Sequence, residues 1–160
     1  MLLLDAFIAR VIRHANRRIL AFPESDTVFR LPTADPQRRY LLYLHIPYCV
    51  VLCPFCSFHR VRFNEGAART YFESLRREID LVGNAGYRFD ELYVGGGTPT
   101  VIPGELIRTL DEVRGAHPLV SISVETNPDD IEKDGVRRLK DAGVNRLSVG
   151  VQSFDDTLLR

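Results

Sequence analysis

Two hydrophobic periodicities alternate along the chain from residue 40 onwards. Short apolar runs occupy residues 40–46, 92–94, 120–124 and 146–151, and each predicts a buried strand. Between these runs, apolar residues recur every three to four positions and predict helices with one buried stripe. The stripes consist of Tyr71, Leu75, Ile79 and Val82, then Leu106, Leu110 and Val113, then Val136 and Leu139. The pattern therefore predicts strands and helices in alternation.

Capping and breaking residues mark the helix boundaries. Asn64 is a candidate N-cap for the first of these helices, and Pro103 suits the first position of the second. Asp129 and Asp130 are predicted to open the third helix, because the helix dipole favours acidic residues at that end. A further acidic pair, at residues 155 and 156, is predicted to begin another helix.

The β-α-β-α-β-α-β order predicts an α/β fold with a parallel sheet covered by helices. Two architectures fit, an open doubly wound sheet and part of a (β/α) barrel. Four strands do not close a barrel, so we expect residues 39–160 to be the N-terminal portion of a larger, truncated barrel. Residues 1–38 are predicted to form an N-terminal amphipathic helix followed by a proline-containing linker.

Composition and charge narrow the class of protein. The 160 residues carry 21 Lys and Arg against 21 Asp and Glu, and this balance does not favour a nucleic-acid-binding protein. No apolar run approaches the roughly 20 residues that span a bilayer, so no membrane span is predicted. Asp5 and Arg10 interrupt the first apolar stretch, which argues against a secretory signal and favours a cytoplasmic protein. The arginines between residues 10 and 18 leave a mitochondrial transit peptide as the weaker alternative.

The cysteines are the strongest chemical signal in the sequence. Cys49, Cys53 and Cys56 have C-x3-C-x2-C spacing, and an odd number of closely spaced thiols does not suit a disulfide framework. Three thiolates in one loop suit zinc, copper(I) or an iron–sulfur cluster. His59 could complete a zinc site. On a 4Fe–4S cluster, three thiolates leave one iron open to a substrate or cofactor.

Chemically distinctive residues also lie at the ends of the other predicted strands. Gly95-Gly-Gly-Thr98 follows the second strand, Glu125 ends the third and Gln152 follows the fourth. Glycine lets the backbone approach a ligand, a carboxylate accepts hydrogen bonds from an amine or a ribose, and an amide both donates and accepts. Because ligands bind beyond the carboxyl ends of parallel strands, these residues and the cysteine loop predict one shared site.

Three histidines are interpreted separately from these motifs. His45, just before the cysteine loop, is interpreted as a hydrogen-bonded core residue, with tuning of a bound cluster as the alternative. His14 and His117 are predicted to lie at the surface.

Taken together, these segments resemble the radical SAM superfamily, and within it the branch of oxygen-independent coproporphyrinogen III oxidases and haem chaperones. The residues that carry the resemblance are Tyr43-Leu-His45-Ile-Pro47-Tyr-Cys49 with Cys53 and Cys56, Gly95-Gly-Gly-Thr-Pro99, Glu125-Thr-Asn-Pro128 and Asn145-Arg-Leu-Ser-Val-Gly-Val-Gln152-Ser-Phe154. They occur in order over residues 40–160, whereas residues 1–38 are not covered.

The resemblance implies a partial (β/α)6 barrel that holds a 4Fe–4S cluster through Cys49, Cys53 and Cys56. It further implies that S-adenosylmethionine binds the open iron. The implied contacts of this cofactor are Tyr43, Phe55, Gly96, Gly97, Thr98, Glu125 and Gln152. Some members of the family bind a second S-adenosylmethionine, for which Gly97, Thr98 and Gln152 are the candidates.

The implied activity is reductive cleavage of S-adenosylmethionine to a 5′-deoxyadenosyl radical that acts on a tetrapyrrole, either a porphyrinogen or haem. A donor such as flavodoxin or ferredoxin would supply the electron. The true oxidases carry a further cysteine where this chain has Phe58, which favours a haem chaperone or another oxidase-like member. Cys56-Ser-Phe-His59 is also similar to the haem-degrading methyltransferases of this branch. A non-catalytic haem chaperone and a zinc-stabilised binding module are the alternatives.

Overall fold

Four parallel strands form the central sheet of the computed structural model, which describes residues 31–130 and 132–159. In chain order the strands are β1 (Tyr40–Ile46), β2 (Tyr48–Cys49), β3 (Val61–Arg62), β4 (Phe89–Gly96), β5 (Ser121–Thr126) and β6 (Arg146–Val149). The sheet has the order β1-β4-β5-β6, and the two-residue strands β2 and β3 form a separate parallel pair. In the main sheet, Leu44 lies opposite Val94 and Val94 opposite Val124. The predicted parallel α/β fold is confirmed.

Three helices connect the strands: α1 (Glu65–Asn84), α2 (Pro103–Ala116) and α3 (Lys133–Asp141). Asn64 caps α1 as predicted, because its Oδ1 accepts a hydrogen bond of 3.0 Å from the Ala67 N–H. Pro103 occupies the first turn of α2, where a missing N–H costs no helical hydrogen bond. Each helix links two parallel strands, as a crossover connection requires.

Strand periodicity divides the sheet into an apolar face and a polar face. Alternate strand residues Leu44, Ile46, Leu92, Val94, Ile122 and Val124 belong to the buried core. The same core contains the helix residues Phe72, Leu75, Ile79, Leu106, Leu110, Val113 and Leu139. Because the helices cover this face, the intervening strand residues, among them Tyr43, Tyr93 and Glu125, belong to the opposite face.

The third helix and the expected fourth helix differ from the prediction. Asp129 and Asp130 lie in a 3-10 turn, Pro128–Asp130, and α3 begins only at Lys133. The Asp130 N–H donates to the Asn127 carbonyl, so this short turn already satisfies the backbone. The segment from Asp155 is a turn, in which the Asp155 carboxylate accepts from the Thr157 N–H and hydroxyl, and it is not helical as far as residue 159.

His117 is buried rather than exposed, so the prediction of a surface position was wrong. Only 4% of its surface is accessible, and its ring packs edge-on against Phe89 with centroids 4.8 Å apart. The residue lies directly after α2, where the chain turns back towards β5. The long-range contact with β4 covers its ring, and this contact is not visible in the local sequence.

The chain divides into two units, Met1–Pro32 and Thr33–Arg160, and the second contains every strand and helix named above. The predicted N-terminal helix and His14 fall on residues 1–30, which lie outside the described residues. Among the helices in the described ranges, none is both long and apolar enough to cross a membrane.

Candidate functional site

The cysteine loop joins the paired strands β2 and β3 at the carboxyl end of β1. Cys49 is buried at the end of β2, whereas Cys53 and Cys56 are partly buried in the loop that follows. The three thiols form no disulfide, and the Cys56 N–H donates to the Cys53 carbonyl in a tight turn. The loop therefore carries three free soft donors on a short stretch of backbone.

The side chains of His45 and Arg60 form hydrogen bonds with backbone carbonyls of the cysteine loop. The His45 Nε2 lies 2.9 Å from the His59 carbonyl oxygen, and because a carbonyl only accepts, this nitrogen carries the proton. The other ring nitrogen then accepts from the Tyr43 hydroxyl, 3.1 Å away. The Arg60 guanidinium donates to the Cys53 carbonyl. His45 is therefore a hydrogen-bonded residue of the polar face that connects β1 to the loop.

The glycine-rich end of β4 lies directly against the first residues of the cysteine loop. The Gly97 N–H donates to the Ile46 carbonyl at 2.7 Å, and the Thr98 N–H donates to the Tyr48 carbonyl at 2.8 Å. A Cβ at Gly97 would lie 2.7 Å from the Tyr48 oxygen and 2.8 Å from the Cys49 sulfur. Gly96 has a φ of +119°, and its Cβ would meet the His45 ring. Only glycines allow this contact.

Glu125 lies on the polar face of β5 with both carboxylate oxygens engaged. The Tyr93 hydroxyl donates to Oε1 at 2.6 Å, and the Gly96 N–H donates to Oε2 at 3.1 Å. The hydrogen bond to Glu125 raises the pKa of Tyr93, so the phenol stays protonated as a donor. An ionised carboxylate has about four acceptor positions, so it can still accept from a ligand.

Nine of the predicted site residues line a single cavity of about 380 Å³, a volume within the range of small-molecule sites. They are Cys49, Cys53, Cys56, Phe55, Gly96, Gly97, Thr98, Glu125 and Gln152. Tyr43 is not part of this lining. It lies on the same face of the sheet, where its ring stacks on Tyr93 with centroids 5.9 Å apart. The structure thus brings these residues together at the carboxyl ends of the strands, and their roles as ligand contacts stay a prediction.

Gln152 adopts an unusual backbone conformation at the edge of the cavity. Its φ of 66° lies in the left-handed region, which few residues other than glycine adopt. Such outliers concentrate at functional sites, where the surrounding structure holds them in place.

Several residues in the cavity lining or in contact with it were not singled out from the sequence. Tyr93 orients Glu125, Asn127 donates to the Thr98 hydroxyl at 3.0 Å, and Arg60 lies beside the thiols. Asn127 belongs to the Glu125-Thr-Asn-Pro128 motif, so the motif itself was the available signal. Tyr93 lies within an apolar strand, where a tyrosine is typical of packing and gives no such signal.

The donor set of the cavity suits an iron–sulfur cluster. Across residues 31–130 and 132–159, no three His, Cys, Asp or Glu side chains form a group that could hold one metal ion. In a structural zinc site, thiolate sulfurs lie about 2.3 Å and histidine nitrogens about 2.0–2.1 Å from one ion. Cluster ligands bind different irons and are spaced further apart. Three free thiols that line one cavity are a suitable donor set for iron and sulfide.

Comparison with known proteins gives consistent matches. The profile of the Radical SAM superfamily matches residues 43–160. An Escherichia coli anaerobilin synthase is 36% identical and matches 79% of this chain and 30% of its own length. The Bacillus subtilis heme chaperone HemW is 36% identical and matches 73% of this chain and 33% of its own length. The Paracoccus denitrificans oxygen-independent coproporphyrinogen III oxidase is 38% identical and matches 71% of this chain and 27% of its own length.

A solved structure also matches the fold. It is the coproporphyrinogen III oxidase HemN from Escherichia coli, described as a radical SAM enzyme, with a TM-score of 0.72 and 34% identity. The match covers 79% of this chain and 31% of that one. The chain thus spans about a third of the length of the proteins it resembles.

Proposed function

The chain belongs to the radical SAM superfamily, in the HemN/HemW branch, and we propose that it uses a 4Fe–4S cluster to cleave S-adenosylmethionine reductively. Cys49, Cys53 and Cys56 would hold the cluster and leave one iron open for the cofactor. The observation that carries this proposal is the single cavity, which the three cysteines line together with the end of β4, Glu125 and Gln152.

If bound through Cys49, Cys53 and Cys56, the cluster would supply one electron for cleavage of the cofactor to methionine and a 5′-deoxyadenosyl radical, which would remove hydrogen from a substrate. The residues of this chain would bind and orient the cofactor. Glu125, held by Tyr93 and the Gly96 N–H, offers its remaining lone pairs to an amine or to ribose hydroxyls. Gly96 and Gly97 bring the backbone of β4 to the cavity wall without a side chain.

Anaerobic reconstitution of the full-length protein tests this proposal. We expect iron and sulfide in equal amounts, the absorption spectrum of a 4Fe–4S cluster, and methionine with 5′-deoxyadenosine after addition of S-adenosylmethionine and a reductant. Replacing Cys49, Cys53 or Cys56 with alanine should abolish iron binding, whereas Ser57→Ala in the same loop should retain it. Zinc without iron or sulfide would instead support the zinc-stabilised binding module.

For the substrate, we propose a tetrapyrrole, with a porphyrinogen oxidised by a coproporphyrinogen III oxidase-like reaction as the first candidate. The names of the similar proteins support this class, since they include a coproporphyrinogen III oxidase and an anaerobilin synthase. An external donor of the flavodoxin or ferredoxin class would supply the electron. Incubation of the reduced protein with S-adenosylmethionine and coproporphyrinogen III should give a decarboxylated product by mass spectrometry.

A haem chaperone is the second candidate, and Phe58 is the observation that favours it. This side chain is exposed at the position where the oxidases carry a further cysteine. HemW chaperones also occur among the similar proteins. A chaperone should bind haem stoichiometrically and release it unaltered to an acceptor, whereas a haem-degrading enzyme should convert haem into a product of different mass.

A further inference from the structure

The Thr98 hydroxyl lies beside the sulfur of the first cysteine. Thr98 Oγ1 is 3.7 Å from Cys49 Sγ, and both residues are buried, with 2% and 8% of their surfaces accessible. Sulfur is a large, weak acceptor, so this separation suits an O–H···S hydrogen bond. Both residues line the cavity that also contains Cys53 and Cys56.

The backbone fixes this contact from both sides. The Thr98 N–H donates to the Tyr48 carbonyl, and the Gly97 N–H donates to the Ile46 carbonyl. The end of β4 therefore lies alongside the backbone that leads to Cys49. The missing side chain of Gly97 allows the approach, because a Cβ there would lie 2.8 Å from the Cys49 sulfur. The hydroxyl therefore does not depend on a flexible loop for its position.

Asn127 sets the direction of the hydrogen bond. Its Nδ2 donates to Thr98 Oγ1 at 3.0 Å. A side-chain amide nitrogen cannot accept, so the single hydroxyl proton of Thr98 is available to the sulfur. The chain of donors thus runs from Asn127 through Thr98 to Cys49.

We propose that Thr98 is a positioning residue whose hydroxyl donates to the Cys49 sulfur and makes the bound cluster easier to reduce. This inference rests on the proposed function, because it requires Cys49 to be a cluster ligand. A hydrogen bond to a thiolate is charge-assisted and strengthens as negative charge on the sulfur grows. Reduction adds negative charge, so the contact stabilises the reduced cluster more than the oxidised one.

The neighbouring Thr100 provides a matched control. It is also a buried threonine, with 6% of its surface accessible, and its hydroxyl lies 2.8 Å from the Thr126 hydroxyl rather than from a thiol. Thr100→Val therefore removes a buried, hydrogen-bonded hydroxyl two residues away without removing the contact to Cys49.

The test is a spectroelectrochemical titration of the reconstituted full-length protein without S-adenosylmethionine. For Thr98→Val we expect the equilibrium constant of one-electron reduction to fall roughly tenfold, a shift of about 59 mV to more negative potential. Thr98→Ser, which keeps the hydroxyl, should stay within about twofold of the wild type, and Thr100→Val should not change. An unchanged constant in Thr98→Val, or an equal fall in Thr100→Val, would overturn the inference.

A second pair of variants covers the case in which valine prevents cluster assembly. Thr98→Ala only removes atoms, so its difference from Thr98→Ser reports the same hydroxyl. Loss of the cluster in both the valine and alanine variants, with retention in Thr98→Ser, would support the hydrogen bond to Cys49. Only the variant that keeps the hydroxyl would then hold the cluster. A wild-type protein without a 4Fe–4S cluster would instead overturn the proposed function. A wild type that cleaves S-adenosylmethionine, with equal constants in all variants, would overturn only this inference.

Discussion

At the scale of single residues, the site depends on glycine, because the absence of a side chain lets two backbone segments approach closely. Gly97 lies so close to Tyr48 and Cys49 that even a methyl group would overlap a backbone oxygen. Backbone cannot move aside as a flexible side chain can, so the cost falls on the position of Cys49. Gly97 therefore bears on the cluster ligand as well as on the approach of a cofactor.

Gly97→Ala should accordingly displace Cys49 and reduce the iron content after reconstitution to less than about half of the wild-type value, since overpacking costs about 1–3 kcal/mol. Gly104→Ala is the matched control, because a Cβ at Gly104 meets nothing within 4 Å. Iron analysis after gel filtration measures the difference. Full iron content in Gly97→Ala would show that the cysteine loop yields to the added methyl group.

The Tyr93 hydroxyl is the other residue-scale feature with a measurable consequence. Its removal in Tyr93→Phe leaves Glu125 held only by the Gly96 N–H, so the carboxylate gains freedom that a bound cofactor must then restrict. We expect affinity for S-adenosylmethionine to fall roughly tenfold, because hydrogen bonds to charged groups contribute about 1.5–3 kcal/mol. Equilibrium binding to the reconstituted protein measures this fall, with Tyr40→Phe as a control.

Tyr40 is a suitable control because its hydroxyl accepts from the Asp35 N–H and is not part of the cavity lining. A cluster content equal to wild type in both variants would confirm that only cofactor binding is being compared. Equal affinities in the wild type and Tyr93→Phe would contradict a role for Tyr93 in orienting Glu125.

At the scale of the elements, sequence patterns predicted correctly those helix and strand boundaries that neighbouring residues determine. The strand at residues 40–46, the N-cap of α1 and the start of α2 at Pro103 depend on neighbouring residues and were predicted with matching positions. The start of α3 was not, because the Asn127 carbonyl captures the Asp130 N–H in a 3-10 turn first. Tyr93 and Asn127 gain their roles from contacts between strands, which periodicity along one strand does not contain.

The buried end of α2 should make the free energy of unfolding depend on pH. Burial, assisted by the charge of Arg88, lowers the pKa of His117, and its Nδ1 has no hydrogen-bond partner among the described residues. As the pH falls, His117 therefore gains its proton in the unfolded chain, near the ordinary pKa of about 6.5, before it does so in the folded chain. Stability should fall as the pH decreases through that value.

Urea unfolding at pH 7.5 and pH 5.5 tests this prediction. His117→Phe keeps a ring against Phe89 but cannot be protonated, so it should lose less stability than the wild type over this interval. Arg88→Gln should also flatten the dependence, by a smaller amount, because burial is the larger cause of the shift. A pH dependence in His117→Phe as steep as that of the wild type would assign the effect to other groups.

At the scale of the whole molecule, the sheet separates stability from chemistry. The face covered by helices holds the apolar core, and the opposite face with the strand ends holds the hydroxyl, carboxylate and thiol groups. Rigid strands thus position Glu125, Cys49 and the end of β4, whereas Cys53 and Cys56 lie on a loop with exposed side chains such as Val51 and Phe55. In this arrangement, metal binding can order the loop while leaving the core unchanged.

This separation predicts where amide hydrogen exchange changes when the cluster is reconstituted. The loop carries exposed side chains such as Val51 and Phe55, so cluster binding should order it and slow exchange in residues 50–60 roughly tenfold or more. Peptides from α1 and α2 should change little, because their stripes are already buried against the sheet. Cys53→Ala protein taken through the same reconstitution is the control and should show no slowing. Uniform slowing across α1, α2 and the loop would mean that the cluster stabilises the whole fold, and the division between a rigid sheet and a metal-ordered loop would then be wrong.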